Sequence, residues 1–241
     1  MHNNTFFRYW CYLSLFIIIF IIINSIIGDI YFRMKYSFPK VTSTTTTKLD
    51  ATLTPKQKDL HNTDYFLYQG ETKSHYLKPV AQYSITGYVV ALNKNFWLRD
   101  FMRTDFDDIA LMDIGLTWGE LSKPDVIKQH KLKFKSVKTI GNARQLEWDY
   151  KSSMTPYYFL NNISHTHLAP KNSNVMGALL KIKKHTIVKL EGYLVDSYTK
   201  DYKIISKTSM SRYDRNSTSR GSGACEVLYV TKVQIDNKIY E

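Results

Sequence analysis

The sequence predicts a mainly β chain with one or two short helices, hung from an N-terminal transmembrane helix and closing into a small antiparallel barrel or sandwich. Three observations predict it. Trp10–Ile27 (WCYLSLFIIIFIIINSII) runs 18 residues without a charge. The rest is rich in Val, Ile and Thr, and the chain holds 18 Tyr and 14% aromatic residues, a composition that favours sheet. Apolar residues in the body recur at alternate positions in several short runs and at clear helical spacing in one.

At 1.5 Å per residue the apolar run reaches about 27 Å, close to the ~30 Å hydrocarbon layer of a bilayer. The stretch from Phe16 to Ile23 leaves no polar face for water, as a helix of a soluble protein requires. A cleaved signal would have a basic leader and small residues at the cut. Only Arg8 precedes this core and Ser25-Ile26-Ile27-Gly28 follows it, so an uncleaved anchor is expected. Trp10 and Tyr12 at one end and Tyr31 and Phe32 beyond the other resemble interfacial aromatic belts. The flanking charges, Arg8 against Arg33, Lys35 and Lys40, nearly balance and lean toward a cytoplasmic body. The layout of short tail, single anchor and polar spacer is that of an exported envelope protein, and an extracytoplasmic body is the expectation.

The expected organisation is a tail at 1–9, the anchor at 10–28, a Thr-rich tether at 29–63 and one β-rich domain at 64–241. The tether carries Pro39, a hydroxyl run from Thr42 to Thr47 and Pro55, with few residues that can pack. In the body, Val80–Leu92 reads as a long strand with Gly87 as a bulge or close-packing point, turning at Asn93-Lys94-Asn95. From Ile109 to Trp118, one face (Ala110, Met112, Ile114, Leu116, Trp118) is core, and the other is apolar enough to be partly covered. Pro124 opens a short helix reaching Gln129. Strands follow at 131–137, with Lys131, Lys133 and Lys135 on one solvated face, and at 145–150; Pro156 suits a helix start. The clearest helix spans 174–183, with Val175, Ala178, Leu179 and Ile182 at i, i+3, i+4 and i+7 and a cap at Asn172 or Ser173. Strands at 186–195, 202–207 and 225–235 complete the body, the last two separated by a polar loop over 209–223. Six or seven strands with a helix across one end fit an oligonucleotide-binding or SH3-like barrel.

The formal net charge is +12, and because Arg8 and Asp29 cancel, the excess lies in the body. Such a surface attracts anionic ligands or lipid head groups. With two cysteines, one in the anchor, no disulfide framework is available. Among candidate sites, His165 and His167 in Asn161–Pro170, read as irregular, are spaced to share a metal with a third ligand from Asp113, His185 or Cys225. Cys225 follows a small-residue run and has the position of a nucleophile served by His165 or His167; its default is a buried strand residue. Asp105, Asp107 and Asp108 read as a solvated turn. Arg212, Arg215 and Arg220, among glycines and hydroxyls, are the anion-binding candidates. No phosphate loop, dinucleotide fingerprint, nucleophile elbow or paired CxxC occurs, and nothing calls for a cofactor. The expected function is a single-pass, non-catalytic binding or assembly protein of the cell envelope, with a protein partner or a second copy of itself. The alternatives are a membrane-anchored cysteine hydrolase using Cys225 with His165 or His167, and a cytoplasm-facing sensor of nucleotides or nucleic acid.

Overall fold

The computed structural model describes residues 3–94, 103–138, 144–149, 156–211 and 225–241. Along them run α1 (Asn3–Lys35), β1 (Ser43–Thr44), β2 (Lys56–Asp59), β3 (Phe66–Gln69), β4 (Ser74–Lys94), α2 (Asp105–Ile109) and β5 (Met112–Thr117). A 3-10 turn, Gly119–Ser122, leads into α3 (Pro124–Gln129), β6 (Lys133–Lys138), β7 (Arg144–Asp149), α4 (Pro156–Asn161), β8 (Ile163–Pro170) and α5 (Ser173–Lys181). The chain ends with β9 (Ile187–Tyr198), β10 (Ile204–Ser206), β11 (Glu226–Ile235) and β12 (Lys238–Tyr240).

Five strands close a ring. β4 pairs with β5, β5 with β8, β8 with β11, β11 with β9, and β9 returns to β4. In chain order the ring reads first, second, third, fifth, fourth, with α5 joining third to fourth, the Greek-key arrangement of an oligonucleotide-binding barrel. Four of these pairings are antiparallel and β8–β11 is parallel. Five strands cannot alternate direction all round a closed ring, so one parallel pair is obligatory.

β4 is the spine of the ring. One edge follows β9 from Tyr76 to Tyr88, and the other meets β3, β2 and then β5. A strand of 21 residues must coil to do this, and register shifts between Pro79 and Ala81 and between Val89 and Ala91 supply the bends. Gly87 is a close-packing point: a Cβ there would lie 3.0 Å from that of Leu116.

The barrel interior holds Tyr83, Ile85, Met112, Ile114, Leu116, Leu168, Leu190, Leu194, Leu228 and Val230, all buried. α5 plugs it with the expected stripe Val175, Ala178, Leu179 and Ile182, and the Asn172 side chain caps its first turn by accepting from the Val175 N–H. All six residues of β5 are buried, because the β6–β7 hairpin and α4 cover its outer face with Leu146, Phe159, Phe134 and Trp148. Lys131, Lys133 and Lys135 are exposed, as expected.

The stretch expected to be a tether lies along the barrel. Ser43 and Thr44 pair with β12, Lys56–Asp59 pair with β4, and buried Ala51 accepts a hydrogen bond from the Gly119 N–H at 3.0 Å. It has too few apolar side chains to build a core, yet its backbone amides complete open sheet edges.

α1 includes one segment, Arg8–Lys35, long and apolar enough to cross a membrane. Its foot is docked: Phe32 is buried with Leu111 and Met176, and Tyr36 and Leu180 pack beside it. The chain then crosses α5 at Gly177, where a Cβ would fall 2.6 Å from the Tyr36 carbonyl oxygen. Gly177→Val is therefore expected to lower stability by about 1–3 kcal/mol through overpacking. Thermal denaturation measures the loss, and limited proteolysis should show new cleavage near residues 36–42.

Candidate metal centre

The segment around His165 and His167 is a fully buried strand, where the sequence suggested irregular structure. Its polar side chains hide the strand signal; Ser164 is satisfied by Thr166 within the strand, and Thr166, His165 and His167 find partners outside it. On the barrel side, the Ser164 and Thr166 hydroxyls lie 2.9 Å apart, and Thr166 Oγ1 donates to Glu226 Oε2 at 3.1 Å. On the outer side, His165 and His167 share a face, two residues apart on a pleated strand.

The ring's pairings bring the other groups to that face. Asp113 of β5 is opposite His167, and the parallel register of β11 with β8, Glu226 against Thr166, brings Cys225 alongside His165. His165 Nδ1 lies 3.2 Å from Cys225 Sγ, and its Nε2 lies 3.4 Å from Ser136 Oγ on β6. His167 Nδ1 donates to Asp113 Oδ1 at 2.8 Å. Asp113 also receives Arg144 Nη1 at 2.8 Å, and the same guanidinium reaches the Ala110 carbonyl and the Asp107 carboxylate. Because an ionised carboxylate only accepts, His167 holds a proton on Nδ1 toward Asp113.

One ligand atom each from His165, His167 and Cys225 lies within 4.8 Å of the other two. A tetrahedral ion with bonds of about 2.0–2.3 Å separates its ligand atoms by roughly 3.3–3.8 Å, so small side-chain shifts close the set. His185, the other imidazole considered, is hydrogen-bonded to the Tyr88 hydroxyl at 3.1 Å, and Asp113 orients His167.

Burial holds His165 neutral, lowering its pKa to about 3, and the neighbouring His167 adds to the effect. Burial pushes the Cys225 thiol up to about 12, with Glu226 and Asp113 opposing the thiolate further. Burial also works against the charge of Asp113, but Arg144 and then His167 outweigh it and hold the carboxyl well below the usual range. At neutral pH the site therefore contains a thiol, a neutral His165 and a fixed Asp113–Arg144 ion pair. Proton transfer from Cys225 to His165 runs uphill there, whereas a neutral His165 and a thiol that ionises on coordination suit a metal.

The acidic cluster is not a solvated turn. Asp105–Ile109 is a short helix capped by Thr104, and Asp107 holds Arg144. Asp108 is 1% exposed and accepts from the Thr72 and Lys73 N–H groups, His75 and Arg103. A buried carboxylate needs such donors; Thr72 and Lys73 come from the β3–β4 turn and His75 from the start of β4, all remote in sequence, while Arg103 lies five residues before Asp108. Arg212, Arg215 and Arg220 lie outside the described residues. Arg144 and Ser136 carried no local signal in the sequence, being one cation and one hydroxyl on an ordinary hairpin.

The metal-free protein is expected to be most stable between about pH 6.5 and 9. Below 6.5 the unfolded chain protonates His165, while the folded chain resists to about 3, so stability falls with acid. Above 9.0 the unfolded chain ionises Cys225, while the folded thiol resists to about 12, so stability falls with alkali. Thermal denaturation against pH checks this, with Cys225→Ala expected to flatten the alkaline limb. Arg144→Met would strand Asp113 in the interior and is expected to cost about 3–5 kcal/mol in urea denaturation, part of it recovered by adding Asp113→Asn.

No protein-family model, curated protein or solved structure matches the chain.

Proposed function

We propose that this chain is a single-pass membrane-anchored binding protein whose barrel carries a metal centre, with His165 Nδ1, His167 Nε2 and Cys225 Sγ as ligands. Two imidazoles and a thiolate suit Zn²⁺ or Cu⁺ rather than the hard cations. The observation that carries the reading is the convergence of one ligand atom each from His165, His167 and Cys225 within 4.8 Å, with His165 Nε2 near the Ser136 hydroxyl and His167 Nδ1 on Asp113. Asp113 acts as the carboxylate behind a metal-bound histidine, and Arg144 holds Asp113. Three protein ligands leave a fourth position for water or an incoming ligand, the layout of a centre that exchanges its occupant. On the layout of a short tail and a single N-terminal anchor before one body, we assign the body to the extracytoplasmic side of the membrane, as a component of the envelope. Alkaline carbonate extraction tests the anchor, and protease protection of a tag after Glu241 tests the side.

Cobalt titration of the full chain in detergent tests the centre. One Co²⁺ per chain with a thiolate charge-transfer band is expected, lost in Cys225→Ser and His167→Ala. Asp113→Asn is expected to weaken binding about 10- to 100-fold. Absence of the band in folded protein would remove the metal reading.

The 3.2 Å contact of His165 with Cys225 favours a second reading, a cysteine nucleophile with His165 as base. Alkylation of Cys225 in a Cys11→Ser background separates the two. Under the metal reading the metal-free thiol reacts appreciably only as pH rises well above 9.0. Fast alkylation at neutral pH that depends on His165 would transfer the assignment to the enzyme.

A further inference from the structure

We infer that the C-terminal end of α5, with the adjoining end of β4, rests on the bilayer surface and binds anionic lipid head groups through Lys181, Lys183 and Lys184. The inference takes α1 as the spanning helix and is independent of the metal centre.

The geometry follows from how α1 meets α5. Lys40 donates its backbone N–H to Asn174 Oδ1 at 2.6 Å, and Gly177 lies against the Tyr36 carbonyl. Nearer the apolar segment, Phe32 packs with Met176, and Leu180 adjoins this cluster. As the chain leaves the membrane from residue 32 to residue 40, α5 therefore runs the opposite way, and its C-terminal end faces the bilayer.

β4 ends at the same place. Lys94 Nζ donates to the Leu180 and Ile182 carbonyls at 2.5 and 3.1 Å, satisfying the last turn of α5. Burial lowers the pKa of Lys94, and the nearby charges of Arg33 and Lys183 lower it further, so the three cations are neighbours. Arg33 is six residues beyond Ile27, about 9 Å along the helix. The interfacial layer adds roughly 5–7 Å to each side of the hydrocarbon. The cluster thus stands at the outer edge of the head groups, within about one Debye length of their charge.

The acidic groups here are already engaged. Asp29 pairs with Arg33 at 2.7 Å, and Glu71 pairs with Lys35 at 3.3 Å and accepts from the Tyr36 hydroxyl. Lys181, Lys183 and Lys184 are exposed, Lys181 also 5.8 Å above the Tyr240 ring. A basic end of a helix held against a membrane anchor matches the charge of an anionic leaflet.

Native mass spectrometry of the full chain in detergent, with phosphatidylglycerol and phosphatidylcholine supplied in equal amounts, tests this. Retention of phosphatidylglycerol over phosphatidylcholine by about fivefold or more is expected, from the additive pull of several lysines. It should fall below about twofold in Lys181→Gln/Lys183→Gln/Lys184→Gln and persist in Lys131→Gln/Lys133→Gln/Lys135→Gln, at and just before β6. Equal retention of the two lipids would overturn the inference, as would loss of the preference in the β6 variant but not the α5 variant. Abolition of the preference by inorganic phosphate would overturn it too, marking a site for free phosphate. Carbonate extraction tests the anchor separately, so failure of lipid preference and failure of the anchor are distinguishable.

Discussion

A closed ring of five strands cannot be antiparallel throughout, and the rest of the structure depends on where the obligatory parallel pair falls. It falls between β8 and β11, strands that α5 and β9 separate in the chain. Parallel neighbours run side by side in one direction, so the N-terminal end of β11 lies beside the first half of β8. That placement, and no local preference of either segment, brings Cys225 within 3.2 Å of His165. A parallel pair also requires a long crossover, which supplies α5 and through it the plug of the barrel.

Around that contact the energetics are those of a small buried electrostatic network. Asp113 has no solvent exposure, and its charge is tolerable only because Arg144 and His167 meet it directly. Arg144 in turn ties β7 to α2 through Asp107 and to the Ala110 carbonyl. One guanidinium thus clamps the β6–β7 hairpin over the barrel wall and holds Asp113 against His167. Rigidity and a fixed orientation of the His167 imidazole come from the same contacts.

A second junction links the body to α1. Phe32 and Tyr36 enter a cluster built on α5 and Leu111, and Gly177 lets the two chain segments approach to backbone distance. The helix that plugs the barrel is therefore also the one that receives the foot of α1. The orientation of the barrel relative to α1 is set by packing and not by a free linker.

Much of the fold was legible in the sequence because period and composition are local. The apolar run of α1, the stripe of α5 and the two-sided burial of β5 appear where their spacing predicts, and of the expected lysine face Lys133 and Lys135 lie on β6 while Lys131 falls in the preceding turn. The readings that differ share one cause. β8 resembled a loop, residues 36–63 a tether and Asp105–Asp108 a solvated turn, because each is polar and takes its hydrogen bonds from partners far away in the chain. The two histidines and the cysteine could be named as candidates by residue type and spacing. Their convergence, with Asp113 behind His167 and Arg144 behind Asp113, could not be read, since those contacts span 31 to 60 residues. By itself the sequence determined which segments are apolar, which alternate and where helices start. Only the tertiary structure decided which strands become neighbours, because strand pairing is a property of ring closure and register and not of any one segment.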